Sequence, residues 1–235
     1  MSRPKLLLSW SSGKDSAWAL HVLRSHSDFD VVGLFTTYNT AFDRVAMHGV
    51  RRELTQAQAR HAGLALHWIA LPHPCTNAEY ERIMGGFVAA ARAEGVSHMA
   101  FGDLFLADIR AYRERSLAGT GITPVFPLWG ADTWALAREM TSCGLRAVLA
   151  TVDPKHLPHE FAGQVFDESL LQRLPAGVDP CGENGEFHTF CHAGPMFDRP
   201  IPVRAGAVVE RDGFVFADLL PDAEGGKPWP RPPIE

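Results

Sequence analysis

The sequence predicts an α/β fold, an open parallel sheet covered by helices with a smaller C-terminal α+β domain after it, and three observations carry that prediction. From Lys5 to about Val125, short aliphatic or β-branched runs alternate with amphipathic stretches. The first of these runs, Leu6-Leu7-Leu8, passes through a turn of small residues straight into a helix-forming stretch. After Pro124 the texture changes to shorter helical segments and then to strands separated by turns.

Taken in order, strands are expected at residues 5–9, 31–38, 66–71 and 98–101. The helix after Gly13 places Ala17, Leu20 and Leu23 on one face. A second helix, 51–62, is expected to turn its polar residues outward and to end at Gly63. The third carries an apolar stripe of Tyr80, Ile83, Met84, Phe87, Val88 and Ala91, stopped by Gly95. Beyond Pro124, residues 134–140 and 168–174 read as helices, and 147–152, 187–191, 201–210 and 214–219 as strands. Arg211-Asp212-Gly213 joins the last two as a hairpin turn. The expected domains are 1–125 and 126–220, with a mobile tail at 221–235.

Composition narrows the function. A net charge of −5 and a pI near 6.1 argue against sequence-independent nucleic-acid binding, which needs many phosphate-neutralising cations. No run approaches the ~18 apolar residues of a membrane span, and the N-terminal apolar run is too short for a signal peptide, so a cytoplasmic protein is expected. Cys75, Cys143, Cys181 and Cys191 lie far apart and read as free thiols.

The segment from Ser9 through Ser11-Ser12-Gly13-Lys14-Asp15-Ser16 has the order strand, small-residue turn, helix start. That order makes an anion site: the backbone can approach an oxyanion, the first helical N–H groups point at it, and the helix dipole adds positive charge. Lys14 adds a full charge. A Walker A loop would need Gly at position 8 and Ser or Thr after the lysine, where Leu8 and Asp15 stand. A dinucleotide fingerprint would need three spaced glycines, and only Gly13 is present. The residues resemble the Ser-Gly-Gly-Lys-Asp-Ser loop of the ATP pyrophosphatases, which grips the β and γ phosphates of ATP and forms AMP and pyrophosphate. Ser12 departs from that pattern, and a serine there is expected to need a negative φ.

A second constellation, Asp179-Pro180-Cys181-Gly182-Glu183-Asn184-Gly185-Glu186-Phe187-His188-Thr189-Phe190, packs carboxylates, an amide and an imidazole around two glycines. Together with Phe101-Gly102-Asp103, the stretch Asp108 to Glu114 and Gly194-Pro195-Met196-Phe197, it resembles the diphthine–ammonia ligase family and its bacterial relatives, over most of the chain. The resemblance implies a Rossmann-like, HUP-type nucleotide-binding domain, ATP with Mg2+, and a smaller domain bearing the motif. It also implies a carboxylate acceptor, small-molecule or protein-borne, amidated with ammonium.

On that basis Lys14, Asp103, Glu183 and Glu186 are the candidate catalytic residues. Lys14 is expected to neutralise pyrophosphate, and the two glutamates to bind and deprotonate the amine, in an order the sequence leaves open. Ser9, Ser11, Ser12, Gly13, Lys14, Asp15, Ser16, Thr36 and Gly102 are the candidate ATP contacts; His48 reads as a loop histidine. Arg110, Tyr112, Arg113, Asn184 and His188 are the candidate acceptor contacts. No metal-ligand set is read: Cys181, His188, Cys191 and His192 lack a short cysteine pair, and alternation along a strand would split them between faces. Two other readings share the loop: a tRNA thiolase, which needs a reactive cysteine, and a non-catalytic ATP-binding regulator. Oligomeric state is not readable from these residues.

Overall fold

The computed structural model describes residues 3–26, 28–41, 44–45 and 49–222. His48 and the tail from 223 onward lie outside the described residues. The first sheet is built from β1 (Lys5–Ser9), β2 (Asp30–Asn39), β3 (Arg44–Val45), β4 (Ala65–Leu71), β5 (Val96–Ala100) and β6 (Thr123–Val125). Their spatial order is β3-β2-β1-β5-β6, with β4 also paired to β2. All pairings are parallel except β3, which runs antiparallel to the last two residues of β2. The pleat of the central strand sends Leu6 and Leu8 into one buried cluster and Leu7 into another on the opposite face. Burial on both faces is why this strand reads as a continuous apolar run.

Helices α1 (Lys14–His26), α2 (Arg52–His61), α3 (Asn77–Ala93) and α4 (Ala107–Leu117) connect these strands. In α1 the expected apolar face is fully buried at Ala17, Leu20 and Leu23. α3 starts in a capping box, Thr76 accepting from Glu79 N–H while the Glu79 carboxylate accepts from Thr76 N–H. For α2 the expectation of polar residues turned outward is overturned at Thr55 and Gln58, both fully buried. Gln58 is a staple: its amide donates to Ser12 O at 2.9 Å and Cys191 O at 2.6 Å, while its oxygen accepts from Trp10 Nε1 at 2.9 Å. Three satisfied hydrogen bonds offset the cost of burying the amide.

The C-terminal part comprises α5 (Thr133–Ser142), β7 (Arg146–Val152), a short 3-10 turn at His159–Phe161, α6 (Glu168–Arg173), β8 (Phe187–Ala193), β9 (Val203–Arg211) and β10 (Phe214–Pro221). The strands form an antiparallel sheet in the order β8-β7-β10-β9. Asp212 at φ 52° and Gly213 at φ 80° give the tight turn expected between the last two strands. One buried cluster joins both sheets, with Leu6, Leu8 and Trp18 in the same core as Val148, Phe187 and Phe190. The sheets therefore divide after β6, but the core does not. The very short β3 and β6 escape periodicity, and Pro124 marks β6 as the edge strand it is.

Candidate active site

The loop between β1 and α1 holds a serine in a glycine conformation. Ser12 sits at φ 71°, which overturns the expectation of a negative φ at this position. The reason is tertiary: Ser12 O accepts from Cys191 N at 3.0 Å and from the Gln58 amide, so the carbonyl direction is set by β8 and α2. The side chain is fully buried and its hydroxyl has no hydrogen-bond partner. A left-handed non-glycine residue costs roughly 1–2 kcal/mol. Ser12→Gly is expected to raise unfolding stability by about 1 kcal/mol, less the entropy glycine adds to the unfolded chain, read as a higher denaturation midpoint at constant slope. A lower midpoint would mean that the hydroxyl contributes more than the backbone strain costs.

Around that turn, Ser11 Oγ lies 3.2 Å from Ser16 Oγ and accepts weakly from Gly13 N at 3.3 Å, and Ser16 Oγ donates to Gly13 O at 3.0 Å. Gly102 lets the segment after β5 close on α1, since a Cβ there would meet the backbone of Asp15 and Ser16 at 3.1 Å. Ser9 ends β1, and Thr36 is buried within β2 opposite Trp68.

Lys14 is where the structure departs most from the sequence reading. Its side chain is 1% exposed and its ammonium donates to Asp15 Oδ2 at 2.9 Å and to the Cys181 carbonyl. The rings of Phe166 and Phe187 lie 5.4 and 5.3 Å from it. Its backbone N–H donates to Thr189 Oγ1 at 3.0 Å. The cation that charge alone aims at phosphate is thus held under the loop, tying it to the C-terminal motif. Burial works against that ammonium, but Asp15, Cys181 and Asp179 outweigh it and hold its pKa above the usual lysine value. Burial pushes the Asp15 carboxyl up, with Lys14 opposing.

The two glutamates of the motif have different surroundings. Glu183 reaches across to the other sheet and accepts from Leu104 N at 2.7 Å and Phe105 N at 3.4 Å. Burial raises its pKa to about 7, and the charges of Asp15 and Asp103 add to the shift. Glu186 instead clasps its own turn, accepting from Asp179 N and the Asn184 amide, each at 3.0 Å. Burial opposes its ionisation, but those hydrogen bonds prevail and its pKa falls below the usual range. Asp179 closes the turn by accepting from Cys181 N and Glu183 N. Gly182, at φ 68°, lies so close to β8 that a Cβ would meet Phe187 O at 2.7 Å.

A raised carboxyl pKa has a definite stability signature. Between its ordinary value of 4.5 and about 7, the folded protein holds a Glu183 proton that the unfolded chain has lost, so this group's contribution falls as pH rises through that window. Glu183→Gln is expected to gain thermal stability relative to the parent between pH 5 and about 7 and to hold that gain above it. A difference in melting temperature that does not change with pH would contradict the shift.

The candidate acceptor residues are not brought together. Arg110 pairs with Glu114 at 2.8 Å and stacks on Phe126 and Trp129. Arg113 lies 3.6 Å from Asp103 and over Phe101. Tyr112 and Arg113 line a cavity between α3 and α4, whereas His188 lines another between the two sheets, and Asn184 is engaged by Glu186. Burial pushes the Asp103 carboxyl up, with Arg113 opposing, and lowers His188 to about 4, helped by Lys14.

Among the described residues no group of three or more His, Cys, Asp or Glu could hold a metal unaided. Asp15 Oδ1 is nonetheless a buried carboxylate oxygen without a hydrogen-bond partner, and Asp103 Oδ2, also buried, faces the Arg113 guanidinium at 3.6 Å, beyond hydrogen-bond range. Such oxygens fit the habit of Mg2+, which takes one or two carboxylates together with nucleotide phosphates. All four cysteines are free thiols, Cys181 and Cys191 buried. No helix among the described residues is long and apolar enough to cross a membrane. Sequence reasoning missed Gln58 and Leu104; a buried amide on an amphipathic helix and a backbone donor leave no signal in composition or spacing.

A small-residue loop at the carboxyl end of a central parallel strand, clasped by a carboxylate-rich turn beside a second, antiparallel sheet, defines an α/β protein whose candidate site lies where open parallel sheets place ligands. Residues 132–215, which begin at the Asp132 cap of α5, match the family model of the diphthamide synthase C-terminal domain. The chain is 33% identical over 122 residues to the diphthine–ammonia ligase of Danio rerio, covering 48% of this chain and 47% of that protein. It is 33% identical over 103 residues to the diphthine–ammonia ligase of Homo sapiens, 42% of this chain and 39% of that one. With the diphthine–ammonia ligase of Rattus norvegicus it shares 31% over 133 residues, 54% and 48% of the two chains. Over these spans the chain is similar to diphthine–ammonia ligases, and it spans less than half the length of these relatives.

Proposed function

We propose that this chain is an ATP-dependent amide ligase that joins ammonia to a substrate carboxylate, releasing AMP and pyrophosphate. The observation that carries the reading is the tie between loop and motif: Lys14 bonds the Cys181 carbonyl and Thr189 while Glu183 caps Leu104 beside Asp103. One compact site then serves both half-reactions. In the first, a carboxylate oxygen attacks the α-phosphorus of ATP, the α–β phosphoanhydride bond breaks, and pyrophosphate leaves toward the loop. In the second, ammonia attacks the acyl carbon, AMP departs with the bond electrons, and the surplus proton passes to a carboxylate.

Roles follow from the surroundings. The Ser11 hydroxyl and the first-turn amides beyond Lys14, whose own N–H is held by Thr189, are the phosphate donors, and the Lys14 charge acts on the phosphates from beneath. Asp15 and Asp103 would hold Mg2+, which would offset phosphate charge. Glu183, with a pKa of about 7, is suited to accept the amine's proton at neutral pH, and Glu186 positions it by holding the turn. The relatives' name, diphthine–ammonia ligase, supports amidation with ammonia; the acceptor here is a carboxylate, small or protein-borne.

Burial pushes the Cys181 and Cys191 thiols well above the usual range, which disfavours the thiolate that sulfur transfer requires. That observation weighs against a tRNA thiolase. Replacing all four cysteines, with alanine at the buried pair, is expected to leave ATP cleavage to AMP within about threefold in a folded protein, the scale of a modest packing change. Complete loss of AMP formation in a variant of unchanged circular dichroism would favour the sulfur-transfer reading.

A further inference from the structure

No residue of α2 belongs to the candidate site, yet Gln58 on that helix is wholly buried against the loop between β1 and α1. Its amide nitrogen donates to Ser12 O at 2.9 Å and to Cys191 O at 2.6 Å, and Cys191 N donates to the same Ser12 oxygen at 3.0 Å. The three residues close a ring in which two donors hold one loop carbonyl. The amide cannot turn over within this ring. Trp10, itself buried, offers an indole N–H that only donates, so the Gln58 oxygen must face it and the nitrogen must face the two carbonyls.

The Ser12 carbonyl is one end of a rigid unit. In a planar trans peptide the C=O of one residue and the N–H of the next point in opposite directions. Holding Ser12 O toward α2 and β8 therefore turns the Gly13 N–H to the other side, where it meets Ser11 Oγ at 3.3 Å. That is the side on which the Ser11 hydroxyl serves as a phosphate donor in the proposed reaction. The Lys14 N–H is already given to Thr189, which makes the Gly13 N–H the more valuable. Ser12 would not hold this orientation by itself: at φ 71° a serine is strained, and relaxing it would swing the Gly13 N–H away.

We propose that Gln58 is a positioning residue for the phosphate loop: by holding the Ser12 carbonyl it aims the Gly13 N–H at the phosphates of the nucleotide, which it does not itself touch. The proposal rests on the ATP-dependent reading and adds a residue of α2 to it. A glycine at position 12 would adopt the left-handed conformation without help, whereas the serine that stands there needs an external hold. Gln58 supplies it from a helix that contributes nothing else to the loop's hydrogen bonds among the described residues.

The test titrates the full chain with inorganic pyrophosphate and with ATP, each with Mg2+, by calorimetry. Gln58→Met keeps the length of the side chain and removes both donors; it is expected to weaken pyrophosphate binding by about tenfold or more, the scale of leaving a buried carbonyl without its donor. Adding Ser12→Gly to that variant should recover about threefold or more of the loss, because the strain that drives the loop out of place is gone. A residue that only fills the core would show no such recovery. If Gln58→Met does not fold, Trp10→Phe decides: it keeps both donors but frees the amide to turn, and should weaken pyrophosphate on the order of threefold. The proposal is overturned by unchanged pyrophosphate affinity in a folded Gln58→Met protein, by a loss that Ser12→Gly does not reduce, or, where Gln58→Met is unfolded, by unchanged affinity in Trp10→Phe. A parent protein that binds neither ATP nor pyrophosphate removes the ATP-dependent reading and this role with it, whereas a parent that binds both while the variants match it removes this role alone.

Discussion

Lys14→Ala is expected to lower AMP formation by roughly a hundredfold or more, the scale of losing one preorganised electrostatic contact in a closed site. The structure gives the effect two routes. The ammonium balances the Asp15 carboxylate and is the donor to the Cys181 carbonyl, so its removal leaves buried polar groups unmatched and loosens the loop from the motif. Lys14→Met, which keeps most of the packing against Phe166 and Phe187, separates these routes. If the charge matters for ATP cleavage, both variants lose AMP formation alike while Met retains more thermal stability. A Lys14→Met protein with unimpaired AMP formation would reduce Lys14 to a packing residue.

The second large effect divides the two half-reactions. Glu183→Gln keeps a side chain of the same reach but removes the basic oxygen, so a first turnover of pyrophosphate should appear while amide formation drops by roughly a hundredfold, the usual scale for a positioned base. Because Glu183 accepts the proton only when ionised, the ratio of parent to variant amidation rates should climb with pH up to about 7 and then level. Hydroxylamine, a nucleophile that needs less help, should partly restore the variant. Glu186→Gln should cost less, since the amide oxygen can still accept from Asp179 N and Asn184, and its deficit should not vary with pH. Equal loss of pyrophosphate release and amide formation in Glu183→Gln would place that residue in adenylation or folding.

The sequence made the fold legible where one physical rule dominated. Strands buried on both faces, such as β1, and the long apolar stripe of α3 leave their period in the residues, and the turn at Asp212-Gly213 leaves its φ requirement. The loop and the motif were each visible as clusters of small or ionisable residues. What could not be read was how they meet. Nothing local to Lys14 indicates that its ammonium turns toward Cys181, since both the carbonyl and the flanking rings belong to residues more than 150 positions away. Ser12 is similar: a local rule forbids its positive φ, and contacts from Gln58 and Cys191 impose it. The different surroundings of Glu183 and Glu186, three residues apart in one motif, likewise arise because Glu183 reaches the segment after β5 while Glu186 turns back onto its own turn.

The measurement closest to the central claim supplies the purified chain with ATP, Mg2+, 15N-labelled ammonium and the small-molecule fraction of a cell extract. Nucleotides are then resolved by chromatography, and new 15N amides by mass spectrometry. The account predicts AMP, pyrophosphate and a 15N amide in equal amounts, all three reduced roughly a hundredfold with Lys14→Ala, and a first turnover of pyrophosphate with roughly a hundredfold less amide with Glu183→Gln. ADP and orthophosphate as the products, or AMP accumulating in the parent protein with no 15N incorporated into any carboxylate, would contradict it.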